Sequence, residues 1–319
     1  MIEALGVPCV ELLPTLRCLQ VDDSALAALV DELAATPLPV PTWEHPAMPA
    51  EPGPVLDAVI WLGNALNFCY WTPPGEAMWT VQVDGQPQVD ALALFGALSG
   101  AARDGIDLGD AAWLAREDPG GPAQIFDRGQ GTLPLRRARV RILNELGQVL
   151  LARFDGRLEH ALAAAGDDAV GMARFLATSF PSFRDERRCQ GQLLPFLKRA
   201  QLAAAMLHLR RRALGAPGLR NTNGLTAFAD YMLPRALRGR GVLRYGSALA
   251  AQVDARATLA PHSPGETELR IATVGACELI LAQLRARGGS ADALSLDHWL
   301  WSTGQGMAQP HHRVLTTDY

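Results

Sequence analysis

Lysine is almost absent from this chain. Its 319 residues carry 29 basic side chains, of which 28 are arginine and one, Lys198, is lysine. A GC-rich coding bias accounts for such a shortage, and the abundance of Ala, Gly and Pro agrees with one. A site that needs a compact ammonium, which a planar guanidinium cannot imitate, accounts for the survivor. An excess of basic charge is missing too: the formal net charge is −4 and the pI is near 6.0. Proteins that grip a nucleic acid neutralise many phosphates at once, so no polyanionic partner is expected. A single phosphate held by a few local cations remains compatible with this balance.

Other absences narrow the field further. No apolar run approaches the roughly 18 residues that read as a bilayer span, and no basic-then-apolar leader opens the chain. A cytoplasmic protein without membrane contact is expected. Five cysteines, Cys9, Cys18, Cys69, Cys189 and Cys277, are odd in number and scattered, with no CxxC pair, and read as reduced and mostly buried. The seven histidines form no HExxH, and adjacent ones such as His311 and His312 seldom converge on one ion, so no metal is expected. GxGxxG, GxxxxGK[ST], GxSxG and the HRD/DFG pair are all missing. Dinucleotide, P-loop, hydrolase-elbow and kinase readings therefore lack support.

What the sequence does contain is helical periodicity. Asp22, Asp23 and Ser24 cap an Ala/Leu-rich helix through Ala35. A proline-rich connector follows, carrying Trp43 and His45 on a rigid loop of the kind where function often sits. VLDAVIWLGNAL, Val55 to Leu66, is apolar nearly all round and predicts a buried helix. Asp84–Gly85 between alternating runs is the one clear hairpin signal. Later segments read as helices: ALALFGALSG, LRRARVRILNELGQVLLARF, LLPFLKRAQLAAAMLHLRRRAL, LTAFADYMLPRAL interrupted at Pro234, ETELRIATVGACELILAQLRA, and LSLDHWLWSTGQ. The expected architecture is mainly α, one compact helical domain over residues 1–319 with a minor β-hairpin.

Four clusters are candidates for more than packing. In NFCYW, Phe68, Tyr70 and Trp71 serve equally as core, but Asn67 at the end of an apolar helix needs partners and can read donor and acceptor edges. In SFPSFRDE and FLKRAQ, Lys198 and Arg199 read either as solvated helix charges or as site groups. In LTAFADYMLP, Asp230 stands among Phe228, Ala229 and Tyr231, which would desolvate its carboxylate unless an ammonium such as Lys198 kept it ionised. In LDHWLW, Asp297 lies near two tryptophans and reads equally as a helix-start acid.

In order and spacing these clusters resemble the queuosine salvage family, the queuosine-5′-phosphate N-glycosylases. The match runs through NFCYW at Asn67–Trp71, FPSF at Phe180–Phe183, LKRAQ at Leu197–Gln201 and LTAFADYMLP at Leu225–Pro234. It continues through VLRYGSAL at Val242–Leu249, ETELR at Glu266–Arg270, LDHWLW at Leu296–Trp301 and HRVLTTDY at His312–Tyr319. Tyr70 stands where phenylalanine is expected. The resemblance implies a helical fold similar to helix-hairpin-helix DNA glycosylases. It also implies queuosine 5′-monophosphate as substrate, queuine and ribose 5-phosphate as products, no cofactor and no protein partner. Asp230 is then the carboxylate beside the anomeric carbon, and Lys198 holds it ionised or contacts the ribose or phosphate. Asn67 is the candidate for helping the base depart. Asp297, with Asp230 as competitor, would take the cationic aminomethyl group. Phe68, Tyr70, Trp71, Tyr231 and Trp301 are available to stack on the base, and His45, Arg199 and the stretch near Arg238 to hold the phosphate. Two rival readings stay open: a DNA-repair glycosylase and a non-catalytic nucleotide-binding protein.

Overall fold

The computed structural model describes residues 5–118 and 120–319. A one-turn helix α1 (Cys9–Leu12) and a short strand β1 (Leu19–Val21) lead into α2 (Asp23–Ala35). The Asp22 carboxylate accepts the Ala25 N–H at 2.7 Å and so caps α2. The connector that follows holds no regular element up to α3 (Pro54–Ala65), since its prolines remove donors and disfavour helix. Every residue of α3 from Ala58 to Ala65 is buried, as a helix without a polar face demands.

The expected hairpin forms between β2 (Thr80–Val83) and β3 (Gln86–Gln88). Asp84 and Gly85 take φ of 48° and 75°, the left-handed pair that a tight two-residue turn requires. It delivers the chain to α4 (Asp90–Arg103), followed by α5 (Ala111–Leu114), strand β4 (Gly129–Gln130) against β2, and helices α6 (Arg136–Arg153), α7 (Leu158–Ala165) and α8 (Ala169–Ser179).

A second hairpin then departs from expectation. Strands β5 (Glu186–Cys189) and β6 (Gln192–Pro195) pair around Gln190–Gly191, whose φ values are 50° and 80°. LLPF, read from the sequence as the start of a helix, is strand and irregular chain instead. Pro195 keeps its predecessor out of the helical region, and Leu197 at φ 44° leaves α9 (Lys198–Ala213) to begin at Lys198. A further difference concerns Pro234. The helix α10 (Met232–Gly239) starts only at Met232, so the proline lies in its first turn, where a missing N–H breaks no helical bond, and residues 225–229 are irregular.

The chain closes through β7 (Leu243–Tyr245) antiparallel to β1, α11 (Ser247–Asp254), β8 (Thr258–Leu259), α12 (Pro264–Ala286), α13 (Ala293–Gln305) and β9 (Arg313–Val314) parallel to β8. Helix α9 packs on α3 and α8, while α13 packs on α10 and α12. One continuous apolar core joins these elements. The fold is mainly α as expected, with four small sheets among the described residues where one hairpin was expected. No described helix is long and apolar enough to cross a membrane. All five cysteines are free thiols; Cys9, Cys69 and Cys277 are buried, and Cys18 and Cys189 half-buried.

Candidate active site

Three arginines brace the chain around one cavity. Arg139 on α6 donates to the carbonyls of Leu66, Phe68 and Cys69 and, at 3.2 Å, to that of Pro134. Arg199 on α9 donates to the carbonyls of Ala65 and Ser182. The orphan carbonyls past the end of α3 therefore go to guanidinium groups instead of water. Both guanidiniums also face the Phe68 ring, at 4.1 and 5.3 Å from its centroid. The Asn67–Tyr70 loop is thus fixed from behind.

Arg270 on α12 does the same for the opposite wall. Its two terminal nitrogens each bond one oxygen of Asp185 at 2.6 Å, and its Nε donates to the Ala229 carbonyl at 3.2 Å. The guanidinium lies between the rings of Phe196 and Tyr319. Burial alone would lower its pKa, but the paired carboxylate of Asp185 holds it above the ordinary value. The same Asp185 accepts the Lys198 backbone N–H at 3.1 Å. One ion pair therefore anchors both the first residue of α9 and the residue before Asp230.

In front of these braces lies a cavity of about 370 Å³, within the range of small-molecule sites. Its walls come from the Asn67–Tyr70 loop, one stripe of α9, the segment from Phe228 to Met232, one stripe of α13, and a rim of connector and hairpin residues. The stripes follow helical periodicity: Lys198, Leu202, Ala205 and Leu209 on α9, and Leu294, Asp297, Trp301 and Gln305 on α13.

The chemistry concentrates where these stripes meet. Lys198 is 4% exposed and its ammonium donates to the Asn67 carbonyl at 3.1 Å. Burial depresses its pKa to about 8, against the opposing pull of Asp230. Asp230 accepts the N–H groups of Met232 at 2.7 Å and Leu233 at 3.2 Å through Oδ1 only. Burial raises its pKa, and Lys198 opposes the rise. Asp297 likewise engages one oxygen, accepting the Phe228 N–H at 2.8 Å. Burial first, and then the neighbouring Asp230, push its pKa well above the carboxylate range. The arrangement is a buried pair of acids beside one cation, each acid with an oxygen that accepts no hydrogen bond from the described residues.

Nine of the residues singled out in the sequence line this cavity: Trp43, Asn67, Phe68, Tyr70, Lys198, Asp230, Tyr231, Asp297 and Trp301. Three do not. Trp71 turns the other way and packs beneath the Arg313 guanidinium at 5.2 Å. Arg199 uses its terminal nitrogens on backbone carbonyls behind the pocket. His45 lines a separate open groove, where its Nδ1 accepts the Ala47 N–H at 3.0 Å. Arg238 is also elsewhere, paired with Asp254 at 2.7 Å.

The structure adds residues that sequence reasoning passed over and gives Trp43 of the connector its surroundings. Asp90, the first residue of α4, lines the cavity with its carboxyl raised to about 6 by burial; in sequence it is an ordinary helix-start acid. His298, next to Asp297, meets the edge of the Trp43 ring at 6.4 Å. Trp43 itself takes φ of 53°, and its buried Nε1 has no partner among the described residues. Tyr319 joins the wall through the Cys69 N–H, which donates to its backbone carbonyl at 3.0 Å.

The chain is similar to proteins of one family. A family model described as queuosine salvage protein matches residues 54–319. A protein of Sphaerobacter thermophilus named queuosine 5′-phosphate N-glycosylase/hydrolase is 35% identical over 302 residues, covering 94% of this chain and 92% of that protein. Its namesake in Mus musculus is 28% identical over 273 residues, covering 82% and 81%. The one in Schizosaccharomyces pombe is 26% identical over 253 residues, covering 76% and 72%.

Proposed function

The chain belongs to the queuosine salvage protein family, and on that premise we propose that it hydrolyses the N-glycosidic bond of queuosine 5′-phosphate to queuine and ribose 5-phosphate. The observation that carries this reading is the buried acid pair with Lys198 at the end of a closed-backed cavity.

Breaking the C1′–N bond leaves its electron pair on the base and positive charge on the sugar. Asp230 meets that demand. Its Oδ1 is held by the start of α10 and its Oδ2 is left to the cavity. A carboxylate there stabilises the oxocarbenium-like carbon and takes a proton from the attacking water. The water oxygen bonds C1′, and the proton it gives up is balanced by one taken up by the departing base. Lys198 favours the ionised form of Asp230 and so opposes the rise that burial imposes on its carboxyl. Lys198 is also the one ammonium or guanidinium among the lining residues, so the substrate phosphate meets it or points toward the rim.

Queuine has carbon where a purine has N7, so protonation there cannot help the base leave. Hydrogen bonds at other edges must serve, and Asn67 stands beside Lys198 for this purpose. Asp297, whose carboxyl burial and the neighbouring Asp230 push upward, is the acid placed to meet the substrate's aminomethyl cation, whose charge would favour its ionised form. Tyr231 and Trp301 offer faces for the base. The test is incubation with queuosine 5′-phosphate and chromatographic detection of free queuine. Stoichiometric appearance of queuine and ribose 5-phosphate is the expected result; a bound but uncleaved nucleotide would make the chain a binding protein instead.

A further inference from the structure

The cavity has a second anionic pole that the hydrolytic step does not use. Asp90 follows the β2–β3 hairpin, takes φ of 53° as the first residue of α4, and makes no capping bond to its own helix. Among the described residues its carboxylate has neither a hydrogen-bond donor nor an ion pair, yet it lines the cavity. Its charge acts on Tyr70 and Tyr231. Tyr231 feels both Asp90 and Asp230, which places an aromatic wall between the two poles. On the Asp90 side, the Tyr70 hydroxyl is buried and also lacks a partner. A half-buried acceptor and a buried donor left unmatched on one wall are costly unless a ligand matches them.

The base of the substrate reading above presents the matching pattern. A 7-deazaguanine ring carries, along one edge, an O6 acceptor, an N1–H donor and an exocyclic N2–H₂ donor. We propose that Asp90 and Tyr70 read this edge, the Asp90 carboxylate accepting from N1–H and N2–H₂ while the Tyr70 hydroxyl donates to O6. The assignment rests on the hydrolase reading and makes the site selective for guanine-like over adenine-like bases. An adenine edge would set an acceptor and a C–H against the carboxylate. A site built to bond such groups rejects analogues that lack them.

Asp90→Asn is a clean probe, because the Asp90 side chain makes no hydrogen bond to the described residues and asparagine tolerates positive φ. The full chain and the variant are titrated with 7-deazaguanine and with 7-deazahypoxanthine, which lacks only the N2 amine. The native chain should prefer 7-deazaguanine by about tenfold to a hundredfold, the worth of a charge-assisted bond, and Asp90→Asn should lose most of that preference. Tyr70→Phe should weaken both bases alike, since both keep O6. Equal binding of the two bases by the native chain, no binding of either, or an unchanged preference in Asp90→Asn would overturn the assignment. Queuine release is measured alongside. Normal release with unchanged discrimination removes Asp90 alone, whereas no release by the native chain removes the hydrolase reading and this assignment with it.

Discussion

Lys198 and Arg199 are neighbours in the chain, at 4% and 1% exposure, and they serve opposite walls. Arg199 turns to the back, where its terminal nitrogens lie on the carbonyls of Ala65 and Ser182. Lys198 turns to the front, with one bond to the Asn67 carbonyl and two carboxylates acting on it through space. The contrast extends to their surroundings. Behind the cavity, Arg139 and Arg270 have every guanidinium nitrogen bonded. In front, Asp230 and Asp297 each use one oxygen, while Asp90 and the Tyr70 hydroxyl use none. Burial therefore does not distinguish a structural charge from a functional one here. Unused acceptor capacity on acids that line the cavity does, since behind it the only idle atom of the three bracing guanidiniums is the Arg199 Nε, a donor that faces no cavity.

If that division is right, changes in front should remove chemistry and leave stability, and changes behind should do the reverse. The largest effect belongs to Asp230→Asn. Asparagine keeps an oxygen for the Met232 and Leu233 N–H groups but cannot take a proton from water. Turnover should fall by about 10²- to 10⁴-fold with an unchanged melting temperature, checked by single-turnover kinetics beside a thermal scan. Behind the cavity, Arg270→Met leaves Asp185 buried and uncompensated. It should cost about 3–5 kcal/mol of folding stability in urea titration, and a loss below 1 kcal/mol would dissolve the contrast.

The comparison sharpens with pH. Lys198 holds its proton below about 8 in the fold, so kcat/KM should decline as pH rises through that value. Stability should move the other way. An unfolded lysine keeps its proton to about 10.5, so between these values the folded state has shed the cost of a buried charge and the unfolded state has gained nothing. Opposite slopes of activity and stability across this interval identify Lys198 as a front-wall group; parallel slopes would not. Trp301→Ala should weaken substrate binding by about 1–3 kcal/mol if the ring stacks on the base, read as a rise in KM. The smallest effect should be His45→Ala. In its separate groove the change should alter KM by less than about twofold, and a large rise would extend the site beyond the cavity.

Much of the helical frame was legible because the long helices show apolar residues at helical spacing, and for α2 the Asp22 cap as well. The β5–β6 hairpin was not, since Gln190–Gly191 is a weaker turn signal than Asp84–Gly85 and the flanking leucines mimic a helix. That misreading hid the point from which Lys198 and Arg199 diverge, because the left-handed Leu197 sets the phase of α9. Asp230 and Asp297 were legible as acids among aromatics. Asp90 was not, because only the fold of the preceding hairpin carries a helix-start acid to the cavity wall. His45 drew attention by its place on a proline-rich loop, but such a loop shows neither where it leads nor what it faces.

Calorimetric titration of queuosine 5′-phosphate into Asp230→Asn, beside its rate of queuine release, tests the division most directly. Retained affinity within about threefold, less than 1 kcal/mol, together with lost release is the expected outcome. Loss of both in a protein that melts normally would contradict it, making Asp230 a group that binds the substrate and not one that cleaves it.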